Sequence, residues 1–364
     1  MKIKIGILFS LLALFVITGA SCISIGGGSS SAQGSMGMFR SVDKGETWQA
    51  INALPTAKGV GNMSGIKVFR LYNDPSDPNA YYMATRGQGM YYTYNSGDSW
   101  QAIPSLAGKF IYGFAIDPKD KCTMYASDGQ YIFKSIDCSR TWNLIYSEQR
   151  PNQRFVALGI DYGNSSIVYG AELGGDIIIS SDAGKSWRTI KSFGFELQHL
   201  AVDPQAAKRL YVASYRNGLF RSDDGGVTWV DLNKNLNAFS DSKIFYRLIL
   251  NPAQSDGLFW ISKYGILRSD DAGVTWSELK LLTPPGNVNI YAFAVNPKNQ
   301  KEMYYTGTLL GDKNTHIRST FYKSVDGGVN WVTKKLPTNT VPAMMFVHPN
   351  QTSELFLGFT LLDS

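Results

Sequence analysis

Short apolar runs of four or five residues, separated by turns rich in Gly, Asp and Asn, recur along most of the chain. β-Branched and aromatic residues fill these runs, and Gly, Asp and Asn stand where tight turns need a positive φ. The pattern predicts units of four short strands, which we name A to D. In one unit we expect strand A at Phe114–Asp117, B at Thr123–Ser127, C at Tyr131–Ser135 and D at Trp142–Tyr146.

A motif of the form Ser/Thr-x-Asp/Asn-x-Gly-x-Thr/Ser/Asn-Trp marks the turn between strands C and D. It occurs seven times, once with Ser139 in place of Gly, and accounts for seven of the eight Trp residues, Trp260 being the exception. Successive motif Trp residues lie 52, 42, 45, 42, 47 and 55 residues apart, a spacing typical of repeated four-stranded units. The motif pairs are Asp43 and Trp48, Asn95 and Trp100, Asp137 and Trp142, Asp182 and Trp187, Asp224 and Trp229, Asp271 and Trp276, and Asp326 and Trp331.

A second pattern, also in seven copies, lies at the turn between strands A and B. An Asp or Asn, once His348, is followed eight residues later by an aromatic residue. Four-stranded units repeated radially form a β-propeller, so the sequence predicts an all-β, seven-bladed propeller. The first motif copy has no A and B strands before it, and Phe356 has no motif after it. We therefore expect the N- and C-terminal strands to share one blade and close the ring; a truncated open array is the alternative.

The motif resembles the Asp-box, or BNR repeat, of sialidases, sortilin-type receptors, xyloglucanases and photosystem II assembly-factor-like propellers. The combined pattern over residues 201–229 is most similar to the assembly-factor and xyloglucanase-type branch. The resemblance implies the propeller fold but not one function, because this fold hosts unrelated activities. We interpret the motif residues as structural, with the Asp accepting turn N–H groups, the Gly left-handed and the Trp packed between blades. A metal or substrate site at the boxes is the alternative, and Ser139 predicts a locally altered turn.

Residues 1–22 have the features of an export signal. Lys2 and Lys4 precede the apolar run 5–17, which is too short for a comfortable transmembrane helix. Residues 18–22 resemble a bacterial lipobox, although Gly19 replaces the usual Leu, and this predicts lipidation of Cys22; ordinary secretion with cleavage nearby is the alternative. Residues 23–37 are rich in Gly and Ser and predict a flexible tether, which leaves 38–364 as a single propeller. We expect an extracytoplasmic, membrane-anchored protein.

Composition narrows the possible partners and cofactors. The 364 residues carry a formal net charge of +6 without clustered Lys or Arg, so we expect no nucleic-acid partner. The three His residues are scattered, and neither a Cys-x-x-Cys pair nor a phosphate-cradling Gly loop occurs, so we predict no metal and no cofactor.

The remaining two cysteines, Cys122 and Cys138, fall in one blade. Strands B and C pair antiparallel, which places the start of B beside the end of C. Because the predicted export leads to an oxidising compartment, we predict a disulfide; two free thiols are the alternative.

The sequence offers weak signals for catalysis. A sialidase needs an arginine triad, and Arg70 and Arg247 occupy matching strand-A positions, with His199 at the same position in another blade. These arginines would contribute to a carboxylate-binding cluster near the central channel. However, no Phe/Tyr-Arg-Ile-Pro segment occurs, and Glu148, Glu172 and Glu196 have no tyrosine at matching spacing. Xyloglucanase-type enzymes typically place paired carboxylates in a cleft between two propellers, a cleft that one propeller of this length does not form alone.

We therefore expect binding on the face that carries the D–A and B–C loops, opposite the Asp-boxes. The sixth B–C loop is longer, with 27 residues from Tyr304 to Trp331 against 17 or 18 in other blades, and its extra residues within 308–320 form a recognition element or a neutral insertion. The predicted binding face comprises Arg70, Arg86, Glu172, Asp176, Arg216, Arg247, Lys263, Tyr264, Lys313, His316 and Arg318.

The sequence alone favours a monomeric, non-catalytic scaffold that binds another envelope or membrane protein, or a glycan. A role in membrane-complex assembly follows if the assembly-factor resemblance extends to function. A glycoside hydrolase of sialidase-like or related BNR type is the alternative.

Overall fold

The computed structural model describes residues 34–362, so the predicted signal peptide, Cys22 and most of the predicted tether lie outside the described residues. The chain enters the fold through β1 (Gly37–Ser41) and β2 (Gln49–Ala50), followed by a separate hairpin of β3 (Ala53–Thr56) and β4 (Gly59–Asn62). Met36 is buried and β1 begins at Gly37. Packing therefore starts within the segment that the sequence assigns to the tether.

Six four-stranded sheets follow, each built from four consecutive strands. Blade 1 consists of β5 (Val68–Asp74), β6 (Asp77–Thr85), β7 (Met90–Thr93) and β8 (Gln101–Ala102), and blade 2 of β9 (Gly113–Ile116), β10 (Met124–Ser127), β11 (Tyr131–Ser135) and β12 (Asn143–Ser147). Blade 3 consists of β13 (Phe155–Ile160), β14 (Val168–Glu172), β15 (Asp176–Ser180) and β16 (Arg188–Ser192), and blade 4 of β17 (His199–Val202), β18 (Leu210–Ser214), β19 (Gly218–Ser222) and β20 (Val230–Asp231). Blade 5 consists of β21 (Phe245–Leu250), β22 (Leu258–Ser262), β23 (Ile266–Ser269) and β24 (Ser277–Glu278), and blade 6 of β25 (Asn289–Asn296), β26 (Asn299–Leu310), β27 (His316–Ser324) and β28 (Val332–Lys334).

The two chain ends together complete blade 7. Strands β29 (Val341–Val347) and β30 (Leu355–Thr360) pair with the N-terminal strands in the order β29–β30–β1–β2. Strand β1 runs antiparallel to β30, with Phe39 opposite Leu357. The seven-bladed, all-β architecture with a shared terminal blade is thus confirmed, and the four strands of blade 2 lie within one residue of their predicted bounds.

The first strands of neighbouring blades contact one another and surround the central channel. The second strand of each blade carries the aromatic residue of the second sequence pattern, and all seven of these side chains are at most 1% exposed. The Asp, Asn or His eight positions earlier accepts a backbone N–H from the residue two positions later, and at His348 the ring Nδ1 takes the place of the carboxylate. The substitution is tolerated because Nδ1 is also a hydrogen-bond acceptor.

The Asp-boxes form one turn seven times. In the first copy, Asp43 accepts hydrogen bonds from the backbone N–H and hydroxyl of Thr47, and the amide of Gly45 donates to Ser41 Oγ over 2.8 Å. The equivalent amide-to-hydroxyl bond recurs in the other six copies. Each turn contains two consecutive residues with positive φ, which explains the recurrent glycine.

Ser139 keeps this turn unaltered, so the predicted alteration is wrong. Its φ is 71°, against 84–92° for the six glycines at this position, and its amide donates to Ser135 Oγ as in the other boxes. The difference is confined to Trp142, whose Nε1 donates to the Ser139 hydroxyl, whereas Trp187 Nε1 donates to the Gly184 carbonyl.

The box tryptophans pack at the contacts between blades, but most are half-buried rather than buried. Trp100 and Trp331 are the two buried members among the seven. Trp100 Nε1 donates to the carbonyl of Ile51, which follows β2 of blade 7, and Trp331 Nε1 donates to the carbonyl of Lys280, which follows β24 of blade 5. Trp260, outside the motif, is fully buried in β22 and donates to the carbonyl of Ser242.

Helical structure in the described residues is confined to short turns: α1 (Asn233–Leu236) and two 3₁₀ segments, Pro104–Leu106 and Asp312–Asn314. Within residues 34–362 there is no helix with the length and apolar character needed to cross a membrane. The structure also joins Cys122 and Cys138 of blade 2 in a disulfide.

Candidate functional site

The loops on the two faces of the ring differ. The turn face carries the Asp-boxes and the A–B turns, and the loop face carries the B–C and D–A loops. The predicted binding residues fall into three groups at or below the loop face rather than into one site: a cavity in the central channel, an acidic cluster between blades 2 and 3, and separate contacts on the outer loops.

A cavity of about 400 Å³ opens in the central channel, and Arg70, Arg86 and Arg247 line it together with His199. Arg70, His199 and Arg247 lie on the first strands of blades 1, 4 and 5, at the matching positions that the sequence indicates. Arg70 Nη1 donates to the Tyr112 carbonyl over 3.4 Å, and Arg247 Nη2 donates to the Ala343 carbonyl over 2.7 Å. The structure thus brings the expected arginines together.

The positive charges in this cavity repel one another, which lowers the pKa values of His199 and Arg247. Burial, together with the nearby Arg70 and Arg247, lowers the pKa of His199 to about 3, so the imidazole is neutral at physiological pH. Burial and the positive charge of Arg70 lower the pKa of Arg247 to about 10. No Asp or Glu among the described residues lines the cavity.

The acidic cluster centres on Arg150, which lies in the loop that follows β12. Arg150 donates to Glu148 over 2.9 Å from Nε and 3.0 Å from Nη2, to Asp176 over 2.6 Å from Nη1, and also to Glu172 from Nη2. Glu148 and Glu172 are buried, whereas the Arg150 side chain is 47% exposed. The predicted face residues Glu172 and Asp176 are thus joined by two residues, Glu148 and Arg150, that the sequence does not place on that face.

The two glutamates titrate in opposite directions. Burial raises the pKa of Glu172 to about 8, and the adjacent Glu148 adds to the rise. Hydrogen bonds from Arg150 lower the pKa of Glu148 to about 2. Near neutral pH the pair therefore holds one proton, on Glu172. Glu172 Oε1 is buried and has no hydrogen-bond partner among the described residues.

The other predicted face residues lie apart from both groups. Arg216 stacks over Tyr215 of the same loop, Lys263 pairs with Asp241 over 3.3 Å, and the Tyr264 hydroxyl donates to Glu278. These contacts are local to blades 4 and 5, so they do not form a shared pocket with the cavity arginines.

The long sixth B–C loop is an extension of the sheet. Strands β26 and β27 continue as a hairpin with Leu309 opposite Arg318 and Leu310 opposite His316. Lys313 lies at the exposed tip, and His316 Nε2 is 3.0 Å from Ser319 Oγ. Residues 34–362 contain no group of three or more His, Cys, Asp or Glu side chains that could hold a metal ion.

The chain is similar to xyloglucanases. A xyloglucanase of a Paenibacillus species is 29% identical over 238 residues, covering 53% of this chain and 23% of the relative. Xyloglucanase Xgh74A of Acetivibrio thermocellus is 27% identical over 241 residues, covering 54% of this chain and 28% of the relative. The chain thus spans about a quarter of the length of these curated relatives, and no family model matches it.

Solved structures show the same fold. The GH74 xyloglucanase of Xanthomonas campestris has a TM-score of 0.63 at 17% identity, covering 88% of this chain and 52% of that chain, and the Niastella koreensis GH74 enzyme has 0.62 at 16%, covering 88% and 53%. YCF48 bound to a D1 peptide has 0.59 at 16%, covering 82% and 94%. The likeness to both propeller types predicted from the sequence is confirmed at the level of the fold.

The relatives contradict the scaffold interpretation. The sequence favoured a non-catalytic binding propeller, but the curated relatives are named as xyloglucanases, which supports the alternative of a glycoside hydrolase. The Asp-box could not decide between them because its residues stabilise turns and carry no information about the loop face.

Proposed function

We propose that this chain is a glycoside hydrolase of the xyloglucanase type, which acts on a β-linked glucan at its loop face. The observation that carries the proposal is the Glu148–Glu172 pair, two carboxyl groups with pKa values pushed apart on the face that the sequence predicts for binding. Glycoside hydrolysis needs a protonated carboxyl group at the scissile bond and an ionised group about 5 Å or more away that acts as nucleophile or activates water. Glu148 and Glu172 both accept from the Arg150 guanidinium, so this pair supplies the protonated group. The similarity to xyloglucanases supports the glucan as substrate class.

Glu172 is the candidate general acid. A carboxyl group with a pKa of about 8 is protonated at neutral pH. It is able to donate its proton to the glycosidic oxygen as the bond to the anomeric carbon breaks, while water forms the new bond to that carbon and loses a proton to the solvent. Glu148, held ionised by Arg150, keeps the proton on its neighbour by electrostatic repulsion.

Arg150 covers the glutamates and controls access to them. Its guanidinium contacts Glu148, Glu172 and Asp176, and it is the most exposed member of the cluster. A sugar hydroxyl that approaches Glu172 must replace one of these contacts. The Arg150 side chain is able to swing outward because nearly half of it is exposed, at the cost of the ion pairs that it leaves.

A single propeller supplies one wall of a substrate cleft. This chain covers about half of each solved GH74 chain. Long glucan chains, which contact several blades at once, should be better substrates than short oligosaccharides.

The test is hydrolysis of xyloglucan, mixed-linkage β-glucan and carboxymethyl cellulose by the full chain, followed as new reducing ends. We expect cleavage that declines as the pH rises above about 8, because Glu172 then loses its proton. Glu172→Gln should lower kcat by about 100-fold or more. Glu196→Gln, an exposed carboxyl group in the loop before blade 4, is the matched control and should be active. Absence of cleavage of all three glucans, or full activity of Glu172→Gln, contradicts the proposal.

A further inference from the structure

On the turn face, a positively charged side chain crosses from most blades to the next. The residue just before the Asp-box is Lys or Arg in five of the seven copies: Arg40, Lys134, Arg221, Arg268 and Lys323. Three of them donate to the carbonyl of the residue before the box Gly position of the next blade: Arg40 to Ser96 over 3.3 Å, Lys134 to Ala183 over 2.8 Å and Arg221 to Ala272 over 2.8 Å. Arg268 and Lys323 donate to side chains of the next blade. The ring thus binds cations of its own in the grooves between blades.

Lys134 shows which groups hold such a cation. Its ammonium group lies 5.3 Å from the centroid of the Tyr125 ring and donates to the Ala183 carbonyl. An aromatic face attracts a cation, and a carbonyl accepts its hydrogen bond. Burial and the positive charge of Lys185 lower the pKa of Lys134, yet Lys134 remains in the groove. The groove therefore accepts a cation even with a second one beside it.

Blade 1 has the same groove without the cation. Tyr92 takes the place of the Lys or Arg, and its ring stacks on Tyr82, the equivalent of Tyr125, with centroids 6.2 Å apart. The Tyr92 hydroxyl donates within blade 1. Cys138 in blade 2 corresponds to Ala183, and its carbonyl accepts no hydrogen bond in the part of the chain that the structure describes. The space left between the two blades is a cavity of about 280 Å³, which Cys138 lines.

The lining of this cavity supplies further groups that attract a positive charge. The rings of Tyr92 and Tyr94 lie 5.0 Å apart and form an aromatic wall. Asp74 and Asp77 also line the cavity, and Asp74 is buried. Both carboxylates accept hydrogen bonds through Oδ1, and neither Oδ2 accepts one within residues 34–362. Buried polar atoms are normally paired, so the cavity is suited to a ligand that brings charged N–H donors.

Two cations stand at the rim of the cavity. Lys121 and Arg140 line it, and both side chains are exposed. Arg140 has the box position that Lys185 has in blade 3, beside the groove that Lys134 occupies. A charge exposed to water is screened more strongly than a charge beside a buried carboxylate. The interior of the cavity therefore favours a positive group, although its rim is positive too.

The groove between blades 3 and 4 shows that a missing cation is not sufficient. Ile179 stands there at the position of Tyr92, and a cavity of about 340 Å³ remains. Arg188, Lys208 and one carboxylate, that of Asp224, line it. Asp224 already accepts hydrogen bonds within its own box turn through both oxygens. This second cavity thus repels a cation, and it serves as an internal comparison for the first.

We propose that the blade 1 cavity binds the charged end of an arginine or lysine side chain from a partner polypeptide. The incoming group donates to the Cys138 carbonyl, packs against the Tyr92 and Tyr94 rings and faces Asp74 and Asp77. A side chain is the expected occupant because the cations that fill the other grooves are themselves side chains. The site lies on the turn face, opposite the glutamate pair proposed for hydrolysis, so its occupancy does not depend on that activity.

The probes are the acetylated, amidated tripeptide Gly-Arg-Gly and the same peptide with citrulline in place of arginine, because the two share one shape and differ in charge. Ligand-observed NMR with the full chain should show that the arginine peptide binds. The citrulline peptide should bind about 10-fold more weakly, because it lacks the charge that the rings and carboxylates attract.

Tyr92→Arg is the decisive variant, because it restores the type of side chain that five other blades carry and fills the groove from within. It should keep or raise the Tm of the wild type and bind the arginine peptide about 10-fold more weakly. Ile179→Arg makes the same change in the groove between blades 3 and 4, so it is the matched control and should bind as the wild type does.

Equal binding of the two peptides by the wild type overturns the proposal, and this result requires no variant to fold. Unchanged binding of the arginine peptide by Tyr92→Arg also overturns it, because the peptide then binds elsewhere. Glucan cleavage is measured separately on the same preparations, so failure of peptide binding is distinguishable from failure of the proposed hydrolase function.

Discussion

Asp182 on the turn face and Glu172 on the loop face of this propeller have pKa values that shift in opposite directions. On the turn face, hydrogen bonds from Ser186 lower the pKa of Asp182 to about 2, and the same occurs at Asp43 through Thr47. On the loop face, burial raises the pKa of Glu172 to about 8. Asp182 lies in a solvated turn whose donors fully satisfy it, whereas Glu172 lies buried beside a second carboxylate.

The difference shows what repetition achieves in this fold. Seven copies of one turn place each Asp or Asn beside donors from its own five-residue segment. The hydrogen bonds within the turn therefore satisfy these side chains. The loop face is not repeated, and there charged groups from different blades meet, as Arg150 and Asp176 do. Reactive groups should therefore be sought on the loop face and in the channel.

The largest expected effect is on the turn face, at the contact between blades 1 and 7. Trp100→Ala removes a fully buried side chain and its hydrogen bond to Ile51, and it should lower the free energy of unfolding by about 3–5 kcal/mol. Trp48→Ala is the matched control, because Trp48 is half-buried, and it should cost less. Chemical denaturation measures both; equal losses would show that the box tryptophans contribute alike regardless of burial.

Loss of the Cys122–Cys138 disulfide should cause the second-largest decrease in the free energy of unfolding. The bond closes a short loop with a sequence separation of 16 residues, so the double variant Cys122→Ser/Cys138→Ser should lose about 3 kcal/mol by the chain-entropy estimate. Intact-mass analysis of the wild-type chain should show a gain of two protons on reduction. A mass unchanged by reductant contradicts the disulfide.

A pH series tests the loop-face glutamate directly. The pKa of Glu172 is raised in the folded state, so its stabilising contribution is present below its unfolded value and is lost as the pH rises through about 8. Wild-type Tm should therefore decline from about pH 5 to about pH 9 more steeply than that of Glu172→Gln. Glu196→Gln should follow the wild-type curve. Parallel curves for the wild type and Glu172→Gln would mean that the pKa of Glu172 is not raised.

The smallest effect, with the opposite sign in pH, is expected at an Asp-box. The pKa of Asp182 is lowered in the folded state, so its contribution is present above its unfolded value and is lost as the pH falls through about 2. Asp182→Ala should lower Tm by a few degrees near neutral pH, with the gap closing in acid. Asp182→Asn is the control, because Asn95 accepts the equivalent Ser99 N–H in blade 1, and it should stay closer to the wild type. A gap between Asp182→Ala and the wild type that does not change with pH contradicts the role of the carboxylate charge.

Much of the fold follows from the sequence. The box spacing predicts seven blades, and the unmatched half-units at the two ends predict the shared blade, because each blade needs all four of its strands. The prediction of an altered turn at Ser139 is wrong. Cys138 and Ser139 both adopt a positive φ, as the two residues at these positions do in the other boxes, although Ser139 is not Gly. Prediction also does not extend to function, since the seven repeated turns and the buried aromatic residues serve the ring.

The candidate sites also contain residues that the sequence groups together and residues that only the tertiary structure brings together. Arg70, His199 and Arg247 could be paired from the sequence because they occupy the same position of repeated strands, and equivalent positions meet at the axis of a ring. Arg150 and Glu148 lie in a loop without repeat equivalence, so only the tertiary structure decides that they join Glu172 and Asp176 across two blades. The sequence by itself determined the number, closure and core of the blades, because these depend on local turns and strand periodicity. The pKa values and the access of the loop-face groups were decided by the tertiary structure, because they depend on distances between residues of different blades.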